Sequence, residues 1–395
     1  MLYLNIAAEP IIESDLRGWK LIANFQNRLA AAAKSLGRLS PTWTDPKRLL
    51  SYDTYLSLFL VGLLNPVVRT MRGLCAASNL QRIQEEVCRR PVSLGSFSEA
   101  QNVLDPALLA KVFEDLSQEV SQKNPTMPAG QGQRCWKIQD SSLFEALPRM
   151  FWTFWRKQRT DQFQVRLHLS LDLNSKSPAR LAITPGKGCE RAAWRKLFKK
   201  GDAYLGDCYF GEDYKLFFQL DETGVAFVVR VRDEAVINIE EELPVSAADR
   251  QHGVLRTAWV RLGHRPSCQS MRLRLVWVQT PEKVIRLVTN ITPEELSAGD
   301  VALLYKRRWQ IELFFRWIKC VLGCRHWLAQ SPEGVAVQIY LALIAALLLQ
   351  LYTGDRPNRR LMELIQFYLM GVARWEELWK AVEQDQARRA KIKKR

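Results

Sequence analysis

Apolar residues recur every three or four positions through the first third of the chain, which is the spacing of a helix. The pattern is clear in PKRLLSYDTYLSLFLVGLL and in DPALLAKVFEDLSQEV, where Asp105 and Pro106 suit a helix cap and first turn. These stretches predict a helical region over residues 1–125. Its short helices and basic side chains fit either a helix-turn-helix-like DNA reader or an ordinary helical bundle. The Pro- and Gly-rich stretch SQKNPTMPAGQGQR then predicts a linker.

The spacing changes from helical to strand-like after the linker. FQVRLHLSLDL alternates apolar residues on one face, as expected for a strand. CWKIQDSSL, ARLAITPG, DAYLGDCYF and VAFVVRVR predict further strands, and helical stretches separate the last three. Three adjacent strands followed by helix, strand, helix and strand predict a mixed α/β sheet with an antiparallel start over residues 126–234.

Four more strand-like stretches follow and predict a β insertion over residues 235–291. Helical spacing returns over residues 292–330, with Thr292 as the expected cap. It continues through residues 331–395 to the basic tail ARRAKIKKR.

Earlier in the chain, between the first and second predicted strands, RMFWTFWRKQR interleaves aromatic and basic residues, which fits either an amphipathic helix or a surface that stacks on unpaired bases.

Composition adds a preference for an acidic partner. The chain of 395 residues has a formal net charge of +16, and an excess of this size favours nucleic acid as the partner. The longest apolar runs are about ten residues, shorter than the roughly twenty that cross a membrane, and the first residues lack the pattern of a signal peptide. The eight cysteines show no paired framework. We therefore expect a cytoplasmic protein with reduced cysteines and no membrane partner.

One acidic residue stands in the basic stretch YKRRWQIELFFRWIK. On a helical wheel Tyr305, Arg308, Glu312 and Lys319 fall within roughly 60° of arc. Such a stripe suits a phosphate backbone, but a carboxylate on it would repel DNA unless a cation were bound. Glu312 is therefore either a metal ligand or simply the i,i+4 ion-pair partner of Arg308.

Two aspartates support the metal interpretation. Asp140 and Asp207 follow apolar residues and are predicted to end the first and fourth strands, where α/β sheets carry their sites. Together with Glu312 they could hold two hard divalent cations, with Mg²⁺ as the expected metal. Taken singly, each aspartate also fits an ordinary turn at a strand end.

These residues resemble the DDE transposases of bacterial insertion sequences, of the insertion-sequence-four type. That branch carries a signature of Tyr, two residues, Arg, three residues, Glu, six residues and Lys, which this chain matches in full. The DSS that starts at Asp140 resembles the first acidic motif of the family. The DCYF that starts at Asp207 resembles the second, although Tyr209 replaces its small residue. The resemblance covers roughly residues 130–325.

The resemblance implies an RNase H-like mixed-sheet catalytic domain with a β-strand insertion, flanked by a helical N-terminal DNA-binding domain and a helical C-terminal region. The expected divisions are residues 1–125, 126–234, 235–291, 292–330 and 331–395.

The resemblance also implies cut-and-paste transposition that uses two Mg²⁺ ions, for which Mn²⁺ would substitute. Asp140, Asp207 and Glu312 would be the catalytic metal ligands. Tyr305, Arg308 and Lys319 would be the DNA-binding residues, a set drawn from the basic stretch described above.

The expected partners are double-stranded transposon ends and target DNA, with a homodimer in the synaptic complex of a bacterial, nucleoid-associated protein. Some relatives stack a flipped base on a Trp in the last insertion strand, but KVIRLVTN has no aromatic residue there. The alternatives are an RNase H-like nuclease without strand transfer and a non-catalytic DNA-binding protein derived from a transposase.

Overall fold

The computed structural model describes residues 20–37, 49–68, 70–103, 105–123, 134–157, 160–263, 271–322 and 326–393. The chain divides into two compact units. The helical unit comprises Met1–Lys123, Glu145–Phe163 and Arg316–Arg395, and the sheet unit comprises Asn124–Phe144 and Gln164–Phe315. Most of the predicted linker lies outside the described residues.

The helices of the described residues, in chain order, are α1 (Lys20–Leu36), α2 (Tyr52–Leu64), α3 (Met71–Ala77), α4 (Gln81–Ile83, continued by a π turn at Gln84–Cys88), α5 (Leu94–Ala100), α6 (Ala107–Lys123), α7 (Glu190–Arg195), α8 (Tyr214–Glu222), α9 (Ala247–Gln251), α10 (Ala298–Lys306), α11 (Gln310–Cys320), α12 (Pro332–Thr353), α13 (Arg359–Leu369) and α14 (Trp375–Lys393).

The strands are β1 (Cys135–Glu145), β2 (Phe154–Lys157), β3 (Thr160–Asp172), β4 (Pro178–Pro185), β5 (Asp202–Gly206), β6 (Ala226–Val231), β7 (Ile237–Leu243), β8 (Val254–Leu262), β9 (Leu273–Gln279) and β10 (Val284–Thr289).

The long apolar helix α12 is central to the helical unit. It packs against α6 and α2, and Phe113 meets Tyr340 edge-on with ring centroids 6.0 Å apart. Ser331 caps its start by accepting a hydrogen bond from Gly334 N. The sequence predicted an apolar run too short for a membrane, whereas α12 has 22 residues and a mean hydropathy of 2.2, enough to span one by length and composition. The most apolar part of this helix is 83% buried inside the structure, as the core helix of a packed bundle would be.

The strands form one mixed sheet in the order β2-β3-β1-β5-β6-β10-β9-β8-β7, with β4 paired to β3. Strand β5 runs parallel to both β1 and β6, and β3 and β4 are antiparallel. This confirms the predicted class, an RNase H-like mixed α/β sheet with a β-strand insertion. The inserted strands β7 to β10 continue the same sheet, because β10 pairs antiparallel with β6.

The strands of the sheet unit are apolar runs in the sequence because they form the core of that unit. Strand β6 is buried at five of its six residues, as expected for a strand covered on both faces. Helices α7 and α8 pack on β4 and β6 respectively. Trp194 of α7 stacks on Phe210, and Phe217 of α8 stacks on Phe227 at a ring centroid distance of 4.8 Å. The contact between Trp194 and Phe210 therefore holds α7 against the turn after β5, and the contact between Phe217 and Phe227 holds α8 against β6.

The described part of the aromatic and basic stretch RMFWTFWRKQR, residues 149–157, does not form an α-helix. Residues Phe151–Thr153 form a 3₁₀ turn, and β2 then pairs antiparallel with the start of β3. Phe154 and Phe163 face each other across the two strands with ring centroids 5.3 Å apart. Such a cross-strand aromatic pair stabilises a hairpin, and the amphipathic-helix interpretation is wrong.

The helix expected to follow a cap at Thr292 begins five residues later, at Ala298. Ser297 is its cap, since the Ser297 hydroxyl accepts from the N–H of Asp300 at 3.0 Å and donates to the carboxylate of Asp300 at 2.7 Å. The Ser297 hydroxyl thus satisfies one otherwise unpaired N–H of the first helical turn, as an N-cap side chain does. Thr292 starts a turn instead, where its carbonyl accepts from Leu296 N at 3.1 Å.

Candidate active site

Strand register brings the two predicted aspartates together. Strands β1 and β5 pair in parallel from Cys135 opposite Asp202 to Ile138 opposite Leu205. Continuing this register by two residues places Asp140 opposite Asp207, and neighbouring strands lie about 4.8 Å apart. Asp207 directly follows the end of β5, as predicted.

The prediction that Asp140 ends its strand is wrong. Strand β1 runs on to Glu145, because β3 remains its neighbour after β5 has ended. Asp140 therefore lies in mid-strand, at the point where one side of β1 loses its partner. The backbone N–H of Ser141 donates to Asp140 Oδ1 at 2.8 Å.

The turn after β5 holds Asp207 in place. The N–H of Tyr209 donates to Asp207 Oδ1 at 3.0 Å. A Cβ on Gly206 would lie 2.8 Å from the Phe210 ring, so only glycine allows that ring to pack so closely. The Tyr209 ring lies under the Arg191 guanidinium, 4.5 Å from its carbon to the ring centroid. This stacking explains how the turn accommodates Tyr209 where the family motif has a small residue.

The segment that carries Glu312 is two helices rather than one. Helix α10 ends at Lys306, a 3₁₀ turn covers Arg307–Trp309, and α11 begins at Gln310. Because a 3₁₀ turn winds more tightly than an α-helix, the angular positions of these side chains differ from those predicted for one continuous helix. Glu312 and Lys319 both lie on α11, seven residues or about 10 Å apart along the helix. The apolar residues predicted for the opposite face are buried at Ile311, Phe314, Trp317 and Ile318.

Arg308 connects the acidic residues. Its Nη2 lies 2.6 Å from Glu312 Oε1, and its Nη1 lies 3.7 Å from Asp140 Oδ2. The guanidinium carbon is 6.0 Å from the centroid of the Tyr305 ring. The i,i+4 ion pair between Arg308 and Glu312 therefore exists, and Arg308 also links Glu312 to Asp140 on β1. Of the two interpretations of Glu312 that the sequence left open, the ion pair with Arg308 is observed, and the metal ligand stays a prediction.

The aspartates lie where ionisation is costly. Burial raises the pKa of Asp140 to about 7, and the nearby Asp207 and Glu312 add to that increase, whereas Ser141 N–H and Arg308 oppose it. Burial also raises the pKa of Asp207. Burial raises the pKa of the Tyr305 hydroxyl to about 12, so this group stays a hydrogen-bond donor at neutral pH. Carboxylates of this kind are stabilised when a cation binds beside them.

The donor set fits a hard divalent cation, since three carboxylates from a strand, a strand end and a helix supply only oxygen ligands. Within the described ranges, no three His, Cys, Asp or Glu side chains converge closely enough to share one ion. The guanidinium of Arg308 lies between Asp140 and Glu312 instead.

Two further residues of this region escaped the sequence analysis. Arg230 of β6 is next to the residue opposite Gly206 in the register, which places it beside Asp207. It lies near enough to Tyr305 to lower the pKa of that hydroxyl. In the described part of the chain its buried Nε has no hydrogen-bond partner. An arginine flanked by valines within the apolar stretch VAFVVRVR was the available signal.

The other residue is Glu190, the first residue of α7. It accepts hydrogen bonds from Ser141 and Arg166, and its charge raises the pKa of Asp207. No sequence pattern pointed to it, because its partners are distant along the chain.

A family model and several known proteins match this chain. The family described as "Transposase DDE domain" matches residues 134–348. A protein of Sinorhizobium fredii named as transposase y4zB is 29% identical over 220 residues, which are 54% of this chain and 60% of that protein. A protein of Synechocystis named as the transposase of insertion sequence element IS4SA is 22% identical over 321 residues, 78% of this chain and 83% of that protein.

A solved structure with a similar chain is the piggyBac transposase synaptic complex with hairpin DNA, at a TM-score of 0.40 and 12% identity, covering 93% of this chain and 83% of that one. The family match spans more than half of the chain and includes all three acidic residues. The chain belongs to the transposase DDE domain family.

Proposed function

We propose that this chain is a DNA transposase that cuts and joins transposon ends by metal-dependent phosphodiester chemistry. The observation that carries the proposal is the proximity of three carboxylates: Asp140 and Glu312 both lie against Arg308, and Asp207 is near enough to Asp140 to raise its pKa. Membership in a family of transposases supports it. The full Tyr-Arg-Glu-Lys signature further supports the insertion-sequence-four branch.

The three carboxylates would hold two Mg²⁺ ions, with Mn²⁺ as a substitute. When bound, such ions activate an attacking hydroxyl and stabilise the leaving oxygen of an in-line displacement. The protein contributes a half-buried site in which both aspartates are costly to ionise without a cation. The binding of metal is therefore coupled to the loss of a proton from Asp140.

Arg308 would have two successive partners. In the metal-free chain its guanidinium compensates the charges of Asp140 and Glu312. Once cations take over that compensation, the same guanidinium is free to donate to a DNA phosphate, the pairing for which its forked donors are suited. Tyr305 donates a further hydrogen bond from beside it.

Arg230 and Lys319 would complete the DNA contacts. Arg230 is a half-buried guanidinium without an ion-pair partner in the described residues, and a phosphate oxygen would satisfy it. Lys319 would contact DNA further along α11. The partners in this proposal are the double-stranded ends of the element and its target DNA, brought together by a homodimer in the bacterial cytoplasm at the nucleoid.

The proposal is tested by a cleavage and strand-transfer assay with Mg²⁺, using DNA that carries the ends of the element. The wild-type chain is expected to cut and join these ends. Glu312→Gln keeps the shape of the side chain but removes its charge, so we expect it to bind the ends and lose cleavage at least 100-fold, since the metal ions supply several kcal/mol of stabilisation.

Three other results would contradict the proposal. Full activity of Glu312→Gln would reduce Glu312 to an ion-pair partner of Arg308. Cleavage by the wild type without joining would favour a nuclease, and binding without cleavage would favour a non-catalytic DNA-binding protein. Glu363→Gln is a suitable control, because Glu363 likewise forms an i,i+4 pair with an arginine, Arg359, on an exposed helix face.

A further inference from the structure

A second polar cluster adjoins the acidic residues, and we call it the support triad. It consists of Ser141 of β1, Arg166 of β3 and Glu190 of α7. The Ser141 hydroxyl donates to Glu190 Oε1. Arg166 Nη1 donates to the same Glu190 oxygen at 2.5 Å and to Ser141 Oγ at 3.1 Å. The three side chains thus form a closed ring of contacts.

The support triad is shielded from solvent and anchored. The side chains of Arg166 and Glu190 are 19% and 17% exposed. Arg166 Nε also donates to the carbonyl of Gly186 at 3.3 Å, which ties the guanidinium to the segment between β4 and α7. A partly buried ion pair with these additional hydrogen bonds holds one geometry, unlike an exposed pair on flexible side chains.

The triad reaches the acidic site through Ser141. This residue follows Asp140, and its backbone N–H donates to Asp140 Oδ1 at 2.8 Å. The strand fixes the Ser141 backbone, and the triad fixes its side chain. The N–H that orients the Asp140 carboxylate is therefore held from two directions.

Glu190 is poorly suited to bind a metal ion itself. Its Oε1 already accepts two hydrogen bonds, and Arg166 compensates its charge. Outer groups that orient a ligand commonly change metal affinity 10- to 100-fold when they are removed.

We propose that Glu190 and Arg166 are positioning residues, which act through Ser141 to hold the Asp140 carboxylate in its metal-binding orientation. This inference rests on the proposed function, because it assumes that Asp140 binds a divalent cation. It assigns no contact with DNA to either residue.

The test measures Mn²⁺ binding to the full chain without DNA, by the loss of the electron paramagnetic resonance signal of free Mn²⁺. We expect Ser141→Ala and Glu190→Gln each to weaken binding about 10-fold. Ser141→Thr keeps a hydroxyl and should retain most of the affinity. Asp202→Asn is the matched control, since Asp202 pairs with Arg180 and is 11% exposed but lies at the start of β5, away from Asp207. It should bind Mn²⁺ as the wild type does.

The inference is overturned if Ser141→Ala, with an unchanged melting temperature, binds Mn²⁺ as tightly as the wild type. Equal losses in the Asp202→Asn control would also overturn it, because they would show a general effect of removing an ion pair. Asp140→Asn separates the two proposals. If Asp140→Asn binds Mn²⁺ normally, the metal-binding role of Asp140 fails and the support triad has nothing to position.

Discussion

At the scale of single residues, Arg308 is the feature that the sequence could not place. The spacing of Arg308 and Glu312 predicted their contact, which follows from helical geometry alone. The contact with Asp140 joins residues far apart along the chain and needed the folded sheet. Arg230 and Glu190 were missed for the same reason, whereas the three acids were predicted from their motifs and stay a prediction.

The titration of Asp140 gives a first test at this scale. Its pKa is about 7 in the folded chain, above its ordinary value of 3.8, because of burial. The folded state therefore binds this proton more tightly than the unfolded state, and the contribution of Asp140 to stability falls as pH rises from about 4 to 7. We expect the melting temperature of metal-free wild type to fall across this range relative to that of Asp140→Asn. Parallel profiles of the two proteins would refute the assignment.

Arg230 gives a second test. Arg230→Gln is expected to weaken DNA binding at all sequences and to reduce the slope of log affinity against log salt by about 1, since one phosphate contact is lost. The control is Arg232→Gln, two residues along, because Arg232 already pairs with Glu212 at an exposed position. Binding isotherms at several salt concentrations measure both. An unchanged slope for Arg230→Gln would exclude the phosphate contact.

At the scale of elements, a buried ion pair links the start of β1 to the end of β3. Lys137 and Asp172 are 7% and 4% exposed and contact each other through Nζ and Oδ2. Burial would raise the pKa of Asp172, but Lys137 and the N–H of Ser175 outweigh it and hold the pKa below the ordinary value. The stability that Asp172 contributes is therefore present above about pH 4 and is lost as pH falls below it.

Lys137→Met should destabilise the protein by about 3 to 5 kcal/mol at neutral pH, because it leaves a buried carboxylate without its cation. Lys283→Met is the control, since its pair with Asp233 is about half exposed and such exposed pairs contribute little to stability. Urea denaturation measures both. A loss for Lys137→Met no larger than that of the control would contradict the buried-pair argument.

Element types were more predictable than their limits. Alternation and buried runs predicted the strands of the sheet, and the caps at Asp105 and Ser331 follow the usual side-chain chemistry. The sequence failed where two local patterns competed. Thr292 and Ser297 are both acceptable caps, and the aromatic residues around Phe154 suit a helix face as well as a hairpin. The pairing of distant segments decided these cases.

At the scale of the whole molecule, the net charge concerns the binding partner, whereas the apolar pattern concerns the fold. The net charge of +16 favours a polyanionic partner but does not specify a fold. The apolar pattern predicts a buried helix but not its surroundings, as α12 shows. Its hydropathy alone does not distinguish a membrane helix from a bundle core, and its burial among α2 and α6 favours the core.

The pairing of β10 with β6 has a consequence for the insertion as a part of this protein. Residues Arg286 to Thr289 are hydrogen-bonded to Val228–Val231, and the register includes Arg230. The four inserted strands therefore cannot be exchanged or deleted in the way that a surface loop can. Their removal would uncover the backbone edge of β6 and leave Arg230 on an open, aggregation-prone strand. In evolution, insertion and catalytic sheet would have to change together.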